Sequence, residues 1–290
     1  MEKRINGRTG MFCLIGTPVG HSGSPAMYNY SFAQTGLDNA YLAYDVPLEK
    51  TEEAVNALKV LGCKGFNVTM PCKTKVAELV DELSDAAKLI GACNTVVVKD
   101  GKLYGNNTDG MGFVRNMKEN GVDVKGKKIT VMGAGGAATA IQVQCALDGA
   151  KKISIFNRKD EFYHNGEKTV KKIQQMVPDC EVSIHVLEDT EALYAAVADS
   201  DILVNATKVG MSPLDKQSLI EDTSVFRSDL VVADAVYNPK ETKFVQEAKA
   251  AGCKVAVGGI GMLMWQGAAA FNLFTGKEMP TDEVYELFFK

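Results

Sequence analysis

Four groups of residues have types and spacings that can do chemistry. The first is Gly133-Ala134-Gly135-Gly136-Ala137-Ala138, which follows the apolar run Ile129 to Met132 and opens an alanine-rich stretch. In that strand–turn–helix setting the first Gly allows a tight turn and the second lets backbone approach a pyrophosphate. A small third residue lets helix and strand pack, and the helix N-terminus faces the phosphates. The second group is His21-Ser22-Gly23-Ser24-Pro25. Its two hydroxyls can hold a carboxylate beside a helix N-terminus, and Ser24 can equally well cap the helix that Pro25 starts. The third is Asn67-Val68-Thr69-Met70-Pro71-Cys72-Lys73. Lys73 stands just after a buried strand, where α/β proteins keep their sites, although most lysines are solvated surface charges. The fourth joins Gly91-Ala92-Cys93-Asn94-Thr95 to Gly105-Asn106-Asn107-Thr108-Asp109-Gly110. Asp109 is either the N-cap of the next helix or an ion-pair partner of Lys73 at the mouth of a cofactor cleft. Spacing leaves both open.

The elements that must position these residues fall into two patterns. Before the glycine turn, strands are expected at Met11–Ile15, Tyr41–Val46, Gly65–Val68, Thr95–Lys99 and Lys102–Tyr104. Helices are expected from about Pro25, with Ser24 as N-cap, over Glu49–Leu61 and over Lys73–Val80. Asp100-Gly101 is the strongest hairpin signal in the chain. From a helix at Gly110–Asn120 onward the order becomes regular. The strands are Ile129–Met132, Ile153–Phe156, Val182–Val186, Ile202–Asn205, Leu230–Asp234 and Lys254–Val257, with helical segments between most of them. Such alternation indicates a Rossmann-type, doubly wound parallel sheet. More than 120 residues precede the glycine turn, so a substrate domain is expected ahead of it. The final helices, Leu263–Phe274 and Thr281–Lys290, have no strand left to cross to and should return to that first domain. The expected fold is α/β: a mixed-sheet substrate domain over 1–110 and 264–290, and a dinucleotide domain over 111–263.

Bulk properties exclude several classes. The 290 residues carry a net charge of −4, with 46% apolar and 23% charged residues, which disfavours nucleic acid as a partner. No run approaches the length of a membrane span, and the first residues lack the apolar core of a signal peptide. Seven cysteines without a C-x-x-C pair read as reduced cytosolic thiols, so a cytoplasmic location is expected. Three scattered histidines, His21, His164 and His185, offer no metal site.

Taken in order, the motifs resemble the shikimate dehydrogenase family. The segments His21 to Pro25, Asn67 to Lys73, Gly91 to Thr95 and Asn107 to Gly110 precede the glycine turn. Asn205-Ala206-Thr207-Lys208-Val209-Gly210-Met211 and Gly261 to Gln266 follow it. Asn157 to Phe162, Thr207 to Met211 and Trp265-Gln266-Gly267 are similar to the quinate/shikimate branch. Two departures stand out: Lys159 where biosynthetic members carry Thr after Asn-Arg, and Cys72, read as a neutral wall residue, where others carry Asn, Tyr or His.

The resemblance implies reversible, NAD(P)-dependent oxidation of the ring secondary alcohol of shikimate or quinate to 3-dehydroshikimate or 3-dehydroquinate. It places Ser22 and Ser24 at the substrate carboxylate, Thr69, Asn94 and Gln266 at hydroxyls, and Tyr237 near the substrate. Lys73 and Asp109 come to the reacting C–O bond. Lys73 is the proton carrier, because a carboxylate of reference pKa near 3.9 is too weak a base near neutrality. The implied cofactor residues are Gly133, Ala134, Gly135, Gly136, Ala137, Asn157, Arg158, Asp160, Thr207, Lys208, Ala235, Val236, Tyr237, Asn238, Gly259, Gly261 and Met262. Arg158 can attract a 2′-phosphate, whereas Asp160 can accept from ribose hydroxyls and repel one, so NAD is expected with NADP also usable. The expected partner is a small-molecule acid, and a homodimer is admitted but not required. Two other readings remain: a dehydrogenase for an aminoquinate-type polyol acid, and a non-catalytic ligand sensor on the same fold.

Overall fold

The apolar run after Thr9 forms β1 (Gly10–Gly16), the strand around which the first unit is built. In the computed structural model residues 5–290 are described, so the reading of Met1 to Arg4 lies outside the described residues. The chain divides into two compact units, Met1–Thr108 with Gln266–Lys290, and Asp109–Trp265.

In the first unit β1 is followed by α1 (Ser24–Gln34), β2 (Asn39–Asp45), α2 (Thr51–Val60), β3 (Gly65–Val68) and α3 (Lys73–Leu79). Then come β4 (Glu82–Leu83), α4 (Asp85–Ile90), β5 (Thr95–Lys99) and β6 (Lys102–Asn106). The sheet order is β2-β1-β3-β5-β6-β4. β1 pairs parallel with β2 and β3, whereas β5 runs antiparallel to both β3 and β6, so the sheet is mixed as expected. The expected hairpin joins β5 to β6, with Lys99 opposite Lys102 and positive φ at Asp100 (52°) and Gly101 (73°). Those angles are what a two-residue primed turn requires.

Several boundaries differ from the sequence reading. Ser24 is the first residue of α1 and makes no side-chain cap; Gly23 holds the N-cap position. The helix expected from Glu49 starts as a 3₁₀ turn over Leu48–Lys50 and becomes α-helical at Thr51. The two-residue β4 and α4 were not expected. The cap of α4 is a standard one, Ser84 Oγ accepting from the Ala87 N–H at 3.3 Å, but its helix is too short to show a period.

The second unit runs α5 (Asp109–Glu119), β7 (Lys128–Met132), α6 (Gly136–Leu147), β8 (Lys152–Asn157), α7 (Glu161–Met176), β9 (Glu181–Val186) and α8 (Thr190–Asp199). It continues with β10 (Ile202–Asn205), β11 (Val231–Asp234), α9 (Lys243–Ala250) and β12 (Val255–Val257). The order is β12-β11-β10-β7-β8-β9, with every neighbouring pair parallel. Renumbered from β7, this is the 3-2-1-4-5-6 order of dinucleotide folds. Strands such as β7 and β8 are buried on both faces, as a parallel sheet flanked by helices requires. The β10–β11 connection holds only a 3₁₀ turn, Thr223–Val225, between long loops.

The last helices are α10 (Ile260–Thr275) and α11 (Thr281–Phe288). From Gln266 onward they belong to the first unit. There the Tyr28 hydroxyl donates to the Gly267 carbonyl at 3.1 Å, and the rings of Phe12 and Phe274 lie 5.0 Å apart. All seven cysteines are free and buried. No helix among the described residues is long and apolar enough to cross a membrane.

Candidate active site

In the first unit the loops leaving β1 and β3 are laced together by main chain. The Thr17 N–H donates to the Met70 carbonyl (2.9 Å), the Thr69 N–H to Ile15 (2.9 Å) and the Cys72 N–H to Thr69 (3.0 Å). Gly16 makes this approach feasible: its φ is +145°, and a Cβ there would meet the Met70 carbonyl oxygen at 2.7 Å. On the same side Asp45 pins the serine loop, accepting from the Thr17 hydroxyl (2.9 Å) and the Val19 N–H (3.2 Å). Ser22 Oγ in turn accepts from the Ser24 N–H at 3.3 Å. The Ser24 hydroxyl is not spent on a helix cap, which removes the simpler account of that residue.

Lys73 opens α3 and is half-buried. Its carbonyl accepts from the Cys93 N–H at 3.0 Å, which ties it to the segment carrying Asn94. Asn94 is the hub of a buried polar cluster. Its Oδ1 accepts from the Thr108 N–H (2.8 Å) and the Thr95 hydroxyl (2.9 Å), and its Nδ2 donates to Thr108 Oγ1 (3.1 Å). The Thr108 hydroxyl lies 3.5 Å from Gln266 Oε1, so Gln266 joins the same cluster. Behind them Asn67 donates to Thr95 Oγ1 at 3.0 Å and accepts from the buried Tyr41 hydroxyl at 2.7 Å. Buried polar groups persist only when bonded, so this chain of amides and hydroxyls fixes which atoms face outward.

Cys72 is wholly buried instead of lining a site wall. Its thiol accepts from the Thr51 hydroxyl (3.1 Å) and donates to the Val46 carbonyl (3.2 Å) in the core under α2. Asp109 is the first residue of α5, and falls in the second unit.

In the second unit the glycine turn is held from behind. The Gly133 N–H donates to the Phe156 carbonyl at 2.7 Å, and the Gly133 carbonyl accepts from Gln142 Nε2 at 2.9 Å. Asn165 Nδ2 holds the Ala134 carbonyl at 2.8 Å. Gly133 has φ +121°, and an added Cβ would meet the Ala206 carbonyl oxygen at 2.7 Å. Beyond it, Gly135 is an N-cap without a side-chain cap, and Cβ atoms at Gly135 or Gly136 would meet nothing within 4 Å. The first turn of α6 is therefore exposed at Gly136 and Ala137, with open space beside it. That fits a pyrophosphate.

At the end of β8 the buried Asn157 amide donates to the Arg158 carbonyl (2.7 Å) and to Asp160 Oδ1 (2.9 Å). Asp160 also accepts from the Phe162 N–H at 2.9 Å and so caps α7, a structural duty the sequence reading did not give it. Arg158 and Lys159 are exposed, as is Lys208. Tyr237 is half-exposed at 50%. The Gly259 N–H donates to the Val236 carbonyl at 2.9 Å, joining Ala235 and Val236 to the start of α10, where Met262 is buried.

Sequence reasoning passed over the residues that hold these loops. Asp234, at 3% exposure, accepts from Asn205 Nδ2 (2.9 Å), the Val236 N–H (2.9 Å) and the Thr242 hydroxyl (2.6 Å). Burial raises the pKa of its carboxyl, and those three donors work against the rise. Asn205 was visible as part of a motif. Thr242 carried no signal beyond that of a helix cap.

A mixed-sheet unit presenting buried amides and hydroxyls, joined in one chain to a parallel sheet with an open glycine turn, defines a class: a two-unit α/β protein of the dinucleotide-dependent oxidoreductase type. Residues 14–96 match the family model described as the shikimate dehydrogenase substrate binding domain. Residues 259–287 match that of the shikimate 5'-dehydrogenase C-terminal domain. A protein of Streptococcus uberis named shikimate dehydrogenase (NADP(+)) is 50% identical, over 100% of this chain and 98% of its own. The crystal structure of shikimate 5-dehydrogenase from Listeria monocytogenes in complex with shikimate and NAD is 47% identical, with a TM-score of 0.97 over 100% of this chain and 99% of that one. Quinate dehydrogenase from Corynebacterium glutamicum in complex with NAD is 30% identical, with a TM-score of 0.85 over 97% and 98% of the two chains. The chain belongs to the shikimate dehydrogenase family.

Proposed function

We propose that the chain is a shikimate dehydrogenase, reversibly oxidising the ring secondary alcohol of shikimate to the ketone of 3-dehydroshikimate with a nicotinamide dinucleotide. The observation that carries this reading is the buried cluster of Asn94, Thr95, Thr108 and Gln266, linked through the Cys93 N–H to the backbone of Lys73. It offers hydrogen-bonding atoms where an apolar ligand would want none, and a polyol acid uses them. On this reading the first unit binds the acid and the second the dinucleotide.

Ser22 and Ser24 hold the carboxylate, and Thr69, Asn94 and Gln266 hold ring hydroxyls, with Tyr237 beside the ring. A dinucleotide seated on the open N-terminus of α6 supplies the two-electron acceptor. For the alcohol carbon to give up hydride, the hydroxyl proton must leave as well, or a protonated ketone accumulates. Lys73 takes that proton, and Asp109 orients the ammonium and the substrate hydroxyl. In the reverse direction Lys73 returns the proton to the forming alkoxide.

Both dinucleotides suit the β8 loop. Arg158 offers a cation to a 2′-phosphate, and the capping duty of Asp160 accounts for that acid without a ribose contact. The relative named for NADP(+) and the neighbour solved with NAD point the same two ways. Quinate is a second substrate, a reading favoured by the likeness to the quinate dehydrogenase.

A two-by-two kinetic matrix, shikimate and quinate against NADP and NAD, followed by the absorbance of reduced nicotinamide, tests the proposal. Turnover with shikimate exceeding that with quinate is expected. Binding of shikimate without turnover in any cell would instead make the protein a ligand sensor.

A further inference from the structure

One buried side chain, Asp234, bonds to both of the loops that follow β10 and β11. Asp234 sits at the last position of β11, opposite Asn205 at the last position of β10. Its Oδ1 accepts from Asn205 Nδ2 and from the Val236 N–H, both at 2.9 Å, and its Oδ2 accepts from the Thr242 hydroxyl at 2.6 Å. Asn205 passes the connection on. Its Nδ2 also donates to the Val209 carbonyl at 2.9 Å, and its Oδ1 accepts from the Thr207 N–H (3.1 Å) and hydroxyl (2.8 Å). From Thr242 the Oγ1 accepts from the Val245 N–H at 3.4 Å, at the start of α9. The segments 205–209 and 234–242 are therefore tied by a buried carboxylate as well as by the main-chain bond from the Ala235 N–H to the Asn205 carbonyl at 2.8 Å.

All three donors are neutral, so this is not an ion pair placed for charge stabilisation. Burying a carboxylate on neutral donors is costly, and a chain bears that cost where geometry is needed. A carboxylate also suits the task because it accepts several bonds and has no hydrogen of its own to satisfy. We infer that Asp234 is a positioning residue for the dinucleotide, fixing the backbone around Thr207 and Val236 without touching the ligand. The inference rests on the assignment of the second unit to the dinucleotide made under the proposed function.

Asp234→Ala would strand three buried donors and free both segments to move. Titration calorimetry on the full chain, with NADP and NAD in turn, should show affinity for both falling about tenfold or more. Shikimate binding, measured separately, should change by less than about twofold, since it reads the first unit. Asp234→Asn keeps the acceptor for Asn205 and Val236 and can donate to the Thr242 oxygen, so it should recover most of the loss. If Asp234→Ala does not fold, Thr242→Val supplies the same test by removing one donor, with Thr242→Ser as its rescue.

Unchanged dinucleotide affinity in a folded Asp234→Ala or Thr242→Val protein would overturn the inference. Equal losses for shikimate and dinucleotide would do the same, by showing a general structural role. A wild-type protein that binds dinucleotide but turns over no substrate would remove the proposed reaction and leave this inference standing.

Discussion

The two units hold their functional atoms in opposite ways. In the first, buried polar side chains face one another: Asn94 and Thr108 are 3% and 0% exposed and bond each other directly. In the second, side chains such as the buried Gln142 and Asp234 and the half-buried Asn165 grip main chain, around a glycine turn with open space beside it. A backbone cradle suits a pyrophosphate shared by many ligands, whereas a set of amides and hydroxyls suits one arrangement of ring substituents. On the proposed function, discrimination among acids belongs to the first unit, and anchoring of a common cofactor to the second.

The sharpest way to break that division is at Lys73. Lys73→Ala should lower kcat by roughly 10²–10⁴-fold, the usual share of a general acid–base group, with dinucleotide affinity kept. An unchanged kcat with a raised KM for shikimate would turn Lys73 into a binding residue and leave the proton without a carrier.

The corresponding break in the second unit is Gly133→Ala. At φ +121° an L-residue is strained, and its Cβ would press on the Ala206 carbonyl. Strain on the order of 1–3 kcal/mol is expected, read as a lower Tm together with a raised KM for dinucleotide and an unchanged KM for shikimate. A raised shikimate KM of similar size would show that the units do not divide the work.

How much of this was legible in the sequence follows the range of the interactions. Asp100-Gly101 and the glycine turn could be read directly, since φ constraints act within two or three residues. The strands from β7 onward were equally plain, because most are short, largely apolar runs separated by helical segments. Ser24 was misplaced by one residue because Ser before Pro satisfies both the cap and the first-turn preference. The Tyr41–Asn67 bond spans 26 residues, and a Tyr in a strand reads as core whether or not its hydroxyl orders an amide. Asp234 was hidden for a related reason: its bond to Asn205 spans 29 residues, and nothing local to 234–242 says that its carboxylate is buried on neutral donors. Asp160 was legible as an acid near a ribose, yet its local bond to the Phe162 amide is what the fold gives it.

That last point makes Arg158 the finest test of the comparison, with the smallest effect. Its carbonyl accepts from Asn157 Nδ2 and from the Asp160 N–H, both at 2.7 Å, so the side chain leaves a fixed turn into solvent. Like Lys208, it gives the second unit an exposed charged side chain in addition to its backbone cradle. If Arg158 meets a 2′-phosphate, Arg158→Ala should cost about tenfold in kcat/KM with NADP and less than about threefold with NAD, since only the phosphate contact is charge-assisted. Equal losses with both would place the guanidinium over the adenine, which the two dinucleotides share. No loss with either would return Arg158 to the exposed charge run it resembles.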